Sequence, residues 1–286
     1  MVELKVPIGS GRVARYLLKT FPNLQYSAVQ KALRDKDIKL NGKRLTEDIS
    51  LLEGDVLQIY LPDTVLYGKP KPDIAYEDDN IAVVNKTPGM EISGEGQTLQ
   101  ALVTQYLNEP AYPCHRLDVK TGGLVLFAKT KGVYTEILRA FRQNEIHKRY
   151  ICIVKGTPKQ ANAELQAYLL KDSRRSTVRI TDKPLNNAQP ITTRYKVLSS
   201  KGEYSLLDVE LITARSHQIR AHLAYIGHPI LGDDKYGDRA FNRKHKVHEH
   251  VLWVTKLKFT LRRRSRLSYL NNRTIATSNY QLPLKI

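Results

Sequence analysis

A group of charged residues stands directly before a strongly apolar run near the middle of the chain. His115, Arg116 and Asp118 fall within four positions, beside a Gly-Gly pair. Residues 124–128 are apolar and rich in β-formers, which predicts a buried strand. Charged side chains in a short loop that leads into a core strand are held on a rigid support, and functional sites are commonly built in this way. A carboxylate in this position can serve as a nucleophile or a base.

Two other groups of side chains offer competing chemistry. His245, His248 and His250 could hold a metal ion, but no cysteine or acid stands at a recognised ligand spacing and the neighbouring residues are cationic. Cys114 precedes His115 and could be an activated thiol. Residues adjacent in sequence seldom form a catalytic pair, however, because the two groups must meet in space with a third group that orients them. Both groups are therefore interpreted as structural, and no metal site is predicted.

The composition favours a soluble globular protein with a polyanionic partner. The 286 residues are 41% hydrophobic, enough for one large or two modest domains. The net charge of +18 suits nucleic acid. From residue 239 onward, twelve Lys or Arg stand against one acid, and four of them form the run Arg262, Arg263, Arg264 and Arg266. A solvated basic surface, or a terminal tail without function, is the alternative interpretation.

The same composition predicts a cytoplasmic protein. The two cysteines are too few for a disulfide framework, which indicates a reducing compartment. No stretch reaches the length of a membrane-spanning helix, and the N-terminus has no apolar signal segment. No membrane partner is therefore expected.

Two long strings closely resemble motifs of one enzyme family. HRLDVKTGGLVLFAK, residues 115–129, is similar to the HRLDxxTSGLLLFAK signature of the RNA pseudouridine synthases of the RluA class, which isomerise uridine in ribosomal and transfer RNA. TARSHQIRAHLAYIGHPILGDDKYG, residues 213–237, resembles the family pattern TGRTHQIRVHxxxxGHPIxGDxxYG, with Ala214 for glycine and Ser216 for threonine. Residues 86–90 and 148–156 resemble two further motifs, the second with Cys152 in place of alanine.

The resemblance implies a role for each motif residue. Asp118 is the catalytic carboxylate, and Arg220 pairs with it and keeps it ionised. Arg116 helps to hold the target nucleotide out of the RNA helix, and Tyr150 stacks on the flipped uracil. Contacts to RNA, or support of the site, are implied for His115, Arg215, His217 and Gln218. Without the resemblance, these residues would be interpreted as a turn-capping aspartate, surface arginines, a core tyrosine and a helix-surface ion pair.

The implied reaction needs no cofactor. It breaks the bond from C1′ of the ribose to N1 of uracil, joins C1′ to C5 and releases the C5 proton. Nothing is oxidised or hydrolysed, so neither a small-molecule cofactor nor a metal is expected. The sequence leaves open whether the carboxylate attacks C1′, adds to C6 or removes a proton from C2′. It also leaves an alternative, a non-catalytic RNA-binding or ribosome-assembly protein that kept the fold, because Gly122-Gly123 and Ala214 depart from the family pattern.

The elements that hold these residues form two predicted domains. Residues 1–65 are predicted to contain two helices, the second capped by Ser27, a tight hairpin at Asn41-Gly42, and a strand over 55–61. The string LRDKDIKLNGKRL resembles the S4-type RNA-binding domain, although Arg12-Val13-Ala14 stands where Arg-Leu-Asp is usual. Residues 62–72, with three prolines and a glycine, are predicted to be a linker.

Residues 66–286 are predicted to be the pseudouridine synthase domain. Many strands with few helices between them indicate an α+β fold with a mainly antiparallel or mixed central sheet and flanking helices. Helices are predicted after Thr98, from Thr130 to Arg142 and over 216–226. Strands are predicted over 74–76, 81–85, 124–128, 148–156, 163–170, 192–199, 204–213 and 251–261. The expected partner is structured RNA, ribosomal first and transfer RNA second, and the protein is expected to act as a monomer.

Overall fold

The chain separates into two compact units, Met1–Lys71 and Pro72–Ile286. The computed structural model describes residues 1–68, 71–172, 174–262 and 265–284. None of the helices that these residues form is both long and apolar enough to cross a lipid bilayer.

Two predicted features fall partly outside the described residues. They are the basic run, through Arg263 and Arg264, and the predicted linker, through Lys69 and Pro70.

The first unit packs two amphipathic helices on a small antiparallel sheet. Its helices are α1 (Val13–Thr20), α2 (Tyr26–Arg34) and the short α3 (Asp63–Leu66). Its strands are β1 (Val2–Lys5), β2 (Ile38–Leu40), β3 (Lys43–Arg44) and β4 (Val56–Ile59). Within residues 1–68 these strands form one sheet in the order β1-β4-β2-β3. The core joins apolar side chains of α1, α2, β2 and β4.

The predictions for this unit hold in part. The Asn41-Gly42 hairpin is confirmed, since the φ angles of 48° and 81° are both positive, as this tight turn requires. The Ser27 cap is wrong, because α2 begins at Tyr26 without a side-chain cap. Half of the predicted linker is wrong as well: Asp63–Leu66 is helical, and Leu66 is fully buried in the first unit's core. Prolines are tolerated at helix starts, so Pro62 marks a new helix and not an extended connection.

The second unit is built on one large mixed sheet. Its strands are β5 (Ile74–Glu77), β6 (Ile81–Lys86), β7 (Tyr112–Pro113), β8 (Gly122–Ala128), β9 (Ile146–Lys155), β10 (Asn162–Asp172), β11 (Thr177–Thr181), β12 (Gln189–Lys201), β13 (Tyr204–Leu211), β14 (Leu252–Phe259) and β15 (Thr274–Ala276). The main path is β11-β10-β12-β13-β9-β14-β8-β6-β5, with β7 beside β8 and β15 beside β14. Among the described strands, β8 and β14 run parallel and the other neighbours run antiparallel. The predicted fold class is confirmed.

Helices flank this sheet. They are α4 (Leu99–Leu107), α5 (Lys131–Arg142), α6 (Gln218–Tyr225) and α7 (Arg239–Lys244), with a 3-10 turn at Ser268–Leu270. Thr98 caps α4 as predicted, since its side chain accepts a hydrogen bond from the Ala101 N–H. Thr130, predicted as the first residue of its helix, instead caps α5 by accepting from the Val133 N–H. β11 and α7 were not predicted, because five alternating residues and one short turn of helix give too little periodicity.

β8 is an interior strand of the sheet, between β14 and β6. Leu124 and Leu126 pack into the largest apolar cluster, whereas Val125 and Phe127 pack into a second cluster on the opposite face. All seven of its residues are buried. The loop that carries His115, Arg116 and Asp118 therefore leads into a fully buried strand, as the sequence predicted.

Candidate active site

A cavity of about 350 Å³ lies in the second unit, beside the loop before β8, strand β9 and the start of α6. All eight residues that the sequence assigns to the site line it, namely His115, Arg116, Asp118, Tyr150, Arg215, His217, Gln218 and Arg220. They come from three segments far apart in the chain, and the fold brings them together around one space.

Asp118 and Arg220 form an ion pair at this cavity. Arg220 Nη1 donates a hydrogen bond of 2.8 Å to Asp118 Oδ2. The other carboxylate oxygen, Oδ1, has no hydrogen-bond partner in the part of the chain that the structure describes. The Asp118 side chain is 25% exposed. The carboxylate is thus oriented through one oxygen, while the other is available to a molecule in the cavity.

Arg220 is itself held from behind by a second carboxylate. Its Nε and Nη2 donate to Asp233 Oδ2 and Oδ1 at 2.7 and 2.9 Å, a bidentate pair in which both side chains are buried. Burial lowers the pKa of Arg220, but its hydrogen bonds with Asp233 and Asp118 outweigh burial and raise it. Burial likewise raises the pKa of Asp233, and Arg220 outweighs this and lowers it. Both groups therefore stay charged, and the guanidinium has one fixed orientation.

His217 stands at the start of α6 in a left-handed conformation, with φ 55°. Its Nδ1 lies 2.8 Å from the Tyr236 hydroxyl, which accepts a hydrogen bond of 2.8 Å from the Val178 N–H. The other ring nitrogen, Nε2, lies 3.8 Å from Asp118 Oδ2. Burial lowers the pKa of His217, which favours the neutral imidazole. Strained non-glycine residues of this kind cluster at functional sites.

Gln218 connects this segment to the sheet. Its Nε2 donates to the Thr192 carbonyl and the Thr193 hydroxyl, at 3.1 and 3.0 Å. Its Oε1 accepts from the Thr213 hydroxyl and from the Arg215 N–H, both at 3.1 Å. The buried amide thus uses its hydrogen-bonding capacity within the protein. Gln218 therefore holds the residues at the start of α6 against the sheet. The Arg215 side chain itself is exposed.

His115 also supports the site from within the protein. Its Nε2 accepts a hydrogen bond of 3.2 Å from the Leu126 N–H, and its ring meets the Phe141 ring edge-on at 5.4 Å. Burial lowers its pKa well below the usual value, so the imidazole is neutral. Arg116, by contrast, is exposed where it lines the cavity.

Lys86, the first residue of the motif at 86–90, supports the Asp118 loop, a role that the sequence did not predict. It is fully buried, and its Nζ donates to the carbonyl oxygens of Thr87, Met90 and Val119 at 3.0, 2.9 and 2.7 Å. Burial lowers its pKa to about 8, although the nearby charge of Asp118 opposes this. The lysine fastens the loop after β6 to the residue that follows Asp118. A lysine that ends an otherwise apolar strand was the signal in the sequence.

The departures from the family motifs are accommodated by local packing. Gly123 has φ 101°, and a Cβ there would lie 2.1 Å from the Val254 carbonyl oxygen. A Cβ on Gly122, where serine is usual, would lie 2.4 Å from the ring of Trp253. Trp253 therefore fills the space that a serine side chain would need. Ala214 lies outside the left-handed region, so replacement of glycine causes no backbone strain there.

The competing chemistries find no support in the geometry. Cys114 Sγ donates to the Tyr112 carbonyl at 3.4 Å, and burial raises the pKa of this thiol to about 12. No group of three histidine, cysteine or acidic side chains among the described residues could hold a metal ion. Of the three histidines considered, His250 is buried with its Nε2 2.8 Å from the Thr121 hydroxyl, and the His245 ring contacts the Phe241 ring at an angle of 60°.

Tyr150 lies on the side of the cavity that β9 forms. It is 5% exposed, on β9, and lines the cavity. Burial raises the pKa of its hydroxyl, and the charge of Asp118 raises it further, so the phenol is neutral. The ring offers an apolar surface beside the carboxylate.

Comparisons with known proteins show the family to which the sequence is similar. The family described as RNA pseudouridylate synthase matches residues 80–225, which contain Asp118, Tyr150 and Arg220. The chain is 29% identical over 284 residues to ribosomal large subunit pseudouridine synthase C of Vibrio vulnificus (strain CMCP6), covering 91% of this chain and 88% of the relative. It is 32% identical over 262 residues to the protein of that name in Rickettsia bellii (strain RML369-C), covering 83% and 86%.

A solved structure shares the fold. Human RNA Pseudouridylate Synthase Domain Containing 1 matches with a TM-score of 0.63 at 24% identity, over 74% of this chain and 85% of that one.

By the family match and the sequence relatives, the chain belongs to the RNA pseudouridylate synthase family. It is an RNA pseudouridine synthase, and RNA is its partner.

Proposed function

We propose that this protein converts uridines of ribosomal RNA to pseudouridine in the cytoplasm, with Asp118 as the catalytic carboxylate. The observation that carries the proposal is the 2.8 Å pair between Asp118 and Arg220 in a cavity that Tyr150 and Arg116 also line. The names of the relatives, which specify the large ribosomal subunit, support ribosomal RNA ahead of transfer RNA.

Asp118 acts on the reacting nucleotide through its free Oδ1. The buried Asp233 fixes Arg220, and Arg220 holds the Asp118 carboxylate in one orientation. Such a preformed arrangement needs no reorganisation when charge develops during the reaction. Whether the carboxylate attacks C1′, adds to C6 or takes the C2′ proton, each route requires this orientation.

Reaching the cavity requires the target nucleotide to leave the RNA helix. Arg116, which is exposed beside Asp118, fills the place of the nucleotide in the helix, and Tyr150 stacks on the flipped base. Stacking on an aromatic ring is worth about 1–3 kcal/mol per base. Arg215, exposed near the start of α6, contacts the RNA backbone.

The first unit is a targeting module of the S4 type that delivers the catalytic unit to structured RNA, and the protein works as a monomer. Two helices packed on a small sheet with a tight Asn41-Gly42 hairpin support this assignment. Residues 1–71 hold twelve Lys or Arg against eight acids, so only a few phosphate contacts can come from this unit.

Replacement of Asp118 by asparagine tests the proposal. Asp118→Asn keeps the shape but removes charge and nucleophilicity, so release of tritium from C5-labelled uridine in RNA should fall by roughly 10⁴-fold or more, while RNA binding persists. Asp234→Asn is the matched control, since Asp234 also stands near Arg220 but is 53% exposed and pairs with Lys120. Its activity should stay within a few fold of wild type. Robust release by Asp118→Asn would remove this residue from the catalytic role.

The RNA substrate is tested by mapping pseudouridines in total RNA with and without the gene product. Loss of sites in ribosomal RNA of the large subunit is expected. Loss confined to transfer RNA would overturn the choice of RNA. A wild-type protein that binds RNA but releases no tritium would favour a ribosome-assembly role.

A further inference from the structure

The β9 side of the cavity carries a cation that the proposed function does not use. Lys148 lines the cavity two residues before Tyr150 on the same strand. Alternate residues of a strand point to the same face, so the two side chains stand side by side. Lys148 is partly buried, and its Nζ lies 5.2 Å from the centroid of the Phe141 ring.

Lys148 lacks the partner that comparable lysines have. In the described part of the chain, its ammonium group makes no hydrogen bond and has no carboxylate within ion-pair distance. Lys129 pairs with Glu77 at 2.8 Å, and Lys155, also on β9, pairs with Asp238 at 2.6 Å. Burial lowers the pKa of Lys148 to about 8. A desolvated, unpaired ammonium destabilises the fold, and such groups are typical of functional sites.

The surroundings of Lys148 favour a neutral oxygen acceptor as its ligand. Ile146 and Leu252 line the same cavity and belong to the main apolar cluster, and Phe141 packs against that cluster. A phosphodiester would lose its hydration in such surroundings, whereas a carbonyl oxygen loses much less. His115 is neutral, and its Nε2 is occupied by the Leu126 N–H, so it does not provide the acceptor.

Other charged groups of the cavity are placed differently. Arg220 is bound to Asp118 and Asp233, and Arg116 and Arg215 are exposed. Tyr150, beside Lys148, is the residue proposed to stack on the flipped base. A base held on the Tyr150 ring brings its carbonyl oxygens to this side of the cavity.

We propose, on the basis of the proposed function, that the Lys148 ammonium donates a hydrogen bond to a carbonyl oxygen of the flipped uracil and stabilises the negative charge that the ring gains. When the C1′–N1 bond breaks, its electron pair stays with the uracil ring and spreads onto the carbonyl oxygens. Addition of the carboxylate to C6 moves the C5–C6 π electrons onto C5 and the C4 carbonyl oxygen, and the C6–O bond breaks again when the carboxylate leaves. Formation of the C1′–C5 bond uses ring electrons, the C5 proton leaves to solvent, and N1 takes up a proton. Lys148 keeps its own proton throughout.

Lys148→Met tests this role, because methionine matches the length of the side chain without its charge. Single-turnover pseudouridine formation should slow by roughly 10²–10³-fold, the usual loss for one preformed donor. Affinity for RNA should not change, and the melting temperature should rise, because an unpaired buried charge is removed. Lys155→Met removes a lysine of the same strand outside the cavity and should keep wild-type rates.

Substrate analogues show which atom Lys148 contacts. Sulfur accepts hydrogen bonds more weakly than oxygen, so 2-thiouridine or 4-thiouridine at the target position should slow the wild type when it replaces the contacted oxygen. Lys148→Met should show no further loss with that analogue. Independent, multiplying losses with both analogues would overturn the contact.

The remaining outcomes of the Lys148→Met experiments also count for or against the proposal. Weaker RNA binding with a shallower dependence on salt would make phosphate the ligand and would overturn the proposal. Lower thermal stability of Lys148→Met together with lost activity would indicate a merely structural lysine. A wild-type rate for Lys148→Met would sink the inference alone, whereas absence of tritium release from the wild type would sink the proposed function.

Discussion

The two sides of the cavity are built in opposite ways. On the α6 side, Gln218 and Arg220 are buried and hydrogen-bonded to other protein groups, and His217 is held by Tyr236. On the β9 side, the cavity is lined by Ile146, Lys148 and Tyr150, and no hydrogen bond joins the two polar tips to described residues. The α6 side is complete without substrate. The β9 side leaves its polar groups for the substrate to satisfy.

This contrast separates two tasks. A carboxylate must be aimed before the nucleotide arrives, which calls for a rigid network with two-sided support of Arg220. A base must be admitted and stacked, which calls for an apolar surface with a few free polar groups. Substitutions on the α6 side should therefore damage both stability and rate, whereas those on the β9 side can separate the two.

Substitution of Arg220 should give the largest effect on stability and on the reaction rate. Arg220→Met leaves the buried Asp233 without its partner, so the free energy of unfolding should fall by about 3–5 kcal/mol, and tritium release should be lost. Arg220→Lys should recover little, because one ammonium cannot donate to both carboxylates in the observed geometry. Urea unfolding and tritium release measure the two quantities.

Arg149→Lys is the control for Arg220. Arg149 also pairs with two carboxylates, Asp208 and Glu210, but it is 34% exposed and does not line the cavity. Its loss of stability should stay at about 1 kcal/mol or less, without loss of rate. Equal effects at both arginines would contradict the special role of Arg220 between Asp118 and Asp233.

Substitution of Tyr150 should give the second largest effect on the reaction rate. Tyr150→Phe keeps the ring and should keep the rate close to that of the wild type. Tyr150→Ala removes the stacking surface and should slow the reaction by about 5- to 150-fold, since stacking contributes about 1–3 kcal/mol. Alanine also leaves a hole in the core, so the rates must be measured where unfolding curves show the variant folded. Near-wild-type rates for both variants would remove the stacking role.

A smaller effect concerns pH. The pKa of Lys148 is about 8 in the folded protein and 10.5 ordinarily. Between these values the unfolded chain binds more protons than the folded one, so this lysine makes stability rise as pH rises. The advantage of Lys148→Met over wild type should be largest below pH 8 and shrink by about 1–3 kcal/mol toward pH 10.5. Urea unfolding of both proteins at several pH values measures it. An advantage independent of pH would mean that the folded protein does not disfavour the charged lysine.

The sequence was sufficient to predict which residues line one cavity, but not which groups hold them in place. Asp118, Tyr150 and Arg220 were found because each stands in a long motif, and the strands around them were found from apolar runs. The bond from Asp233 to Arg220 and the contact of Trp253 with Gly122 arise only when distant segments meet. The full burial of Lys86 and the partial burial of Lys148 are likewise properties of the packed fold, since a lysine in a strand is ordinarily exposed.

The smallest effect on chemistry should come from the first unit, whose removal tests whether the cavity alone carries catalysis. A chain of residues 72–286 is the suitable form, because a cut at residue 66 would separate the buried Leu66 from the first unit's core. This chain retains thirty-four Lys or Arg against twenty acids, compared with twelve against eight in residues 1–71. It should isomerise uridine in a short RNA at near the full rate. Its binding to structured RNA should weaken. The slope of log K against log salt should become shallower by about 0.7–0.9 for each phosphate that the first unit binds, and about three such phosphates are expected. A full-length Asp118→Asn protein, titrated in parallel, should keep the steep slope because it retains every basic residue. An unchanged slope in the shorter chain would mean that the first unit contacts no phosphate. An insoluble or inactive shorter chain would mean that the two units depend on each other for folding.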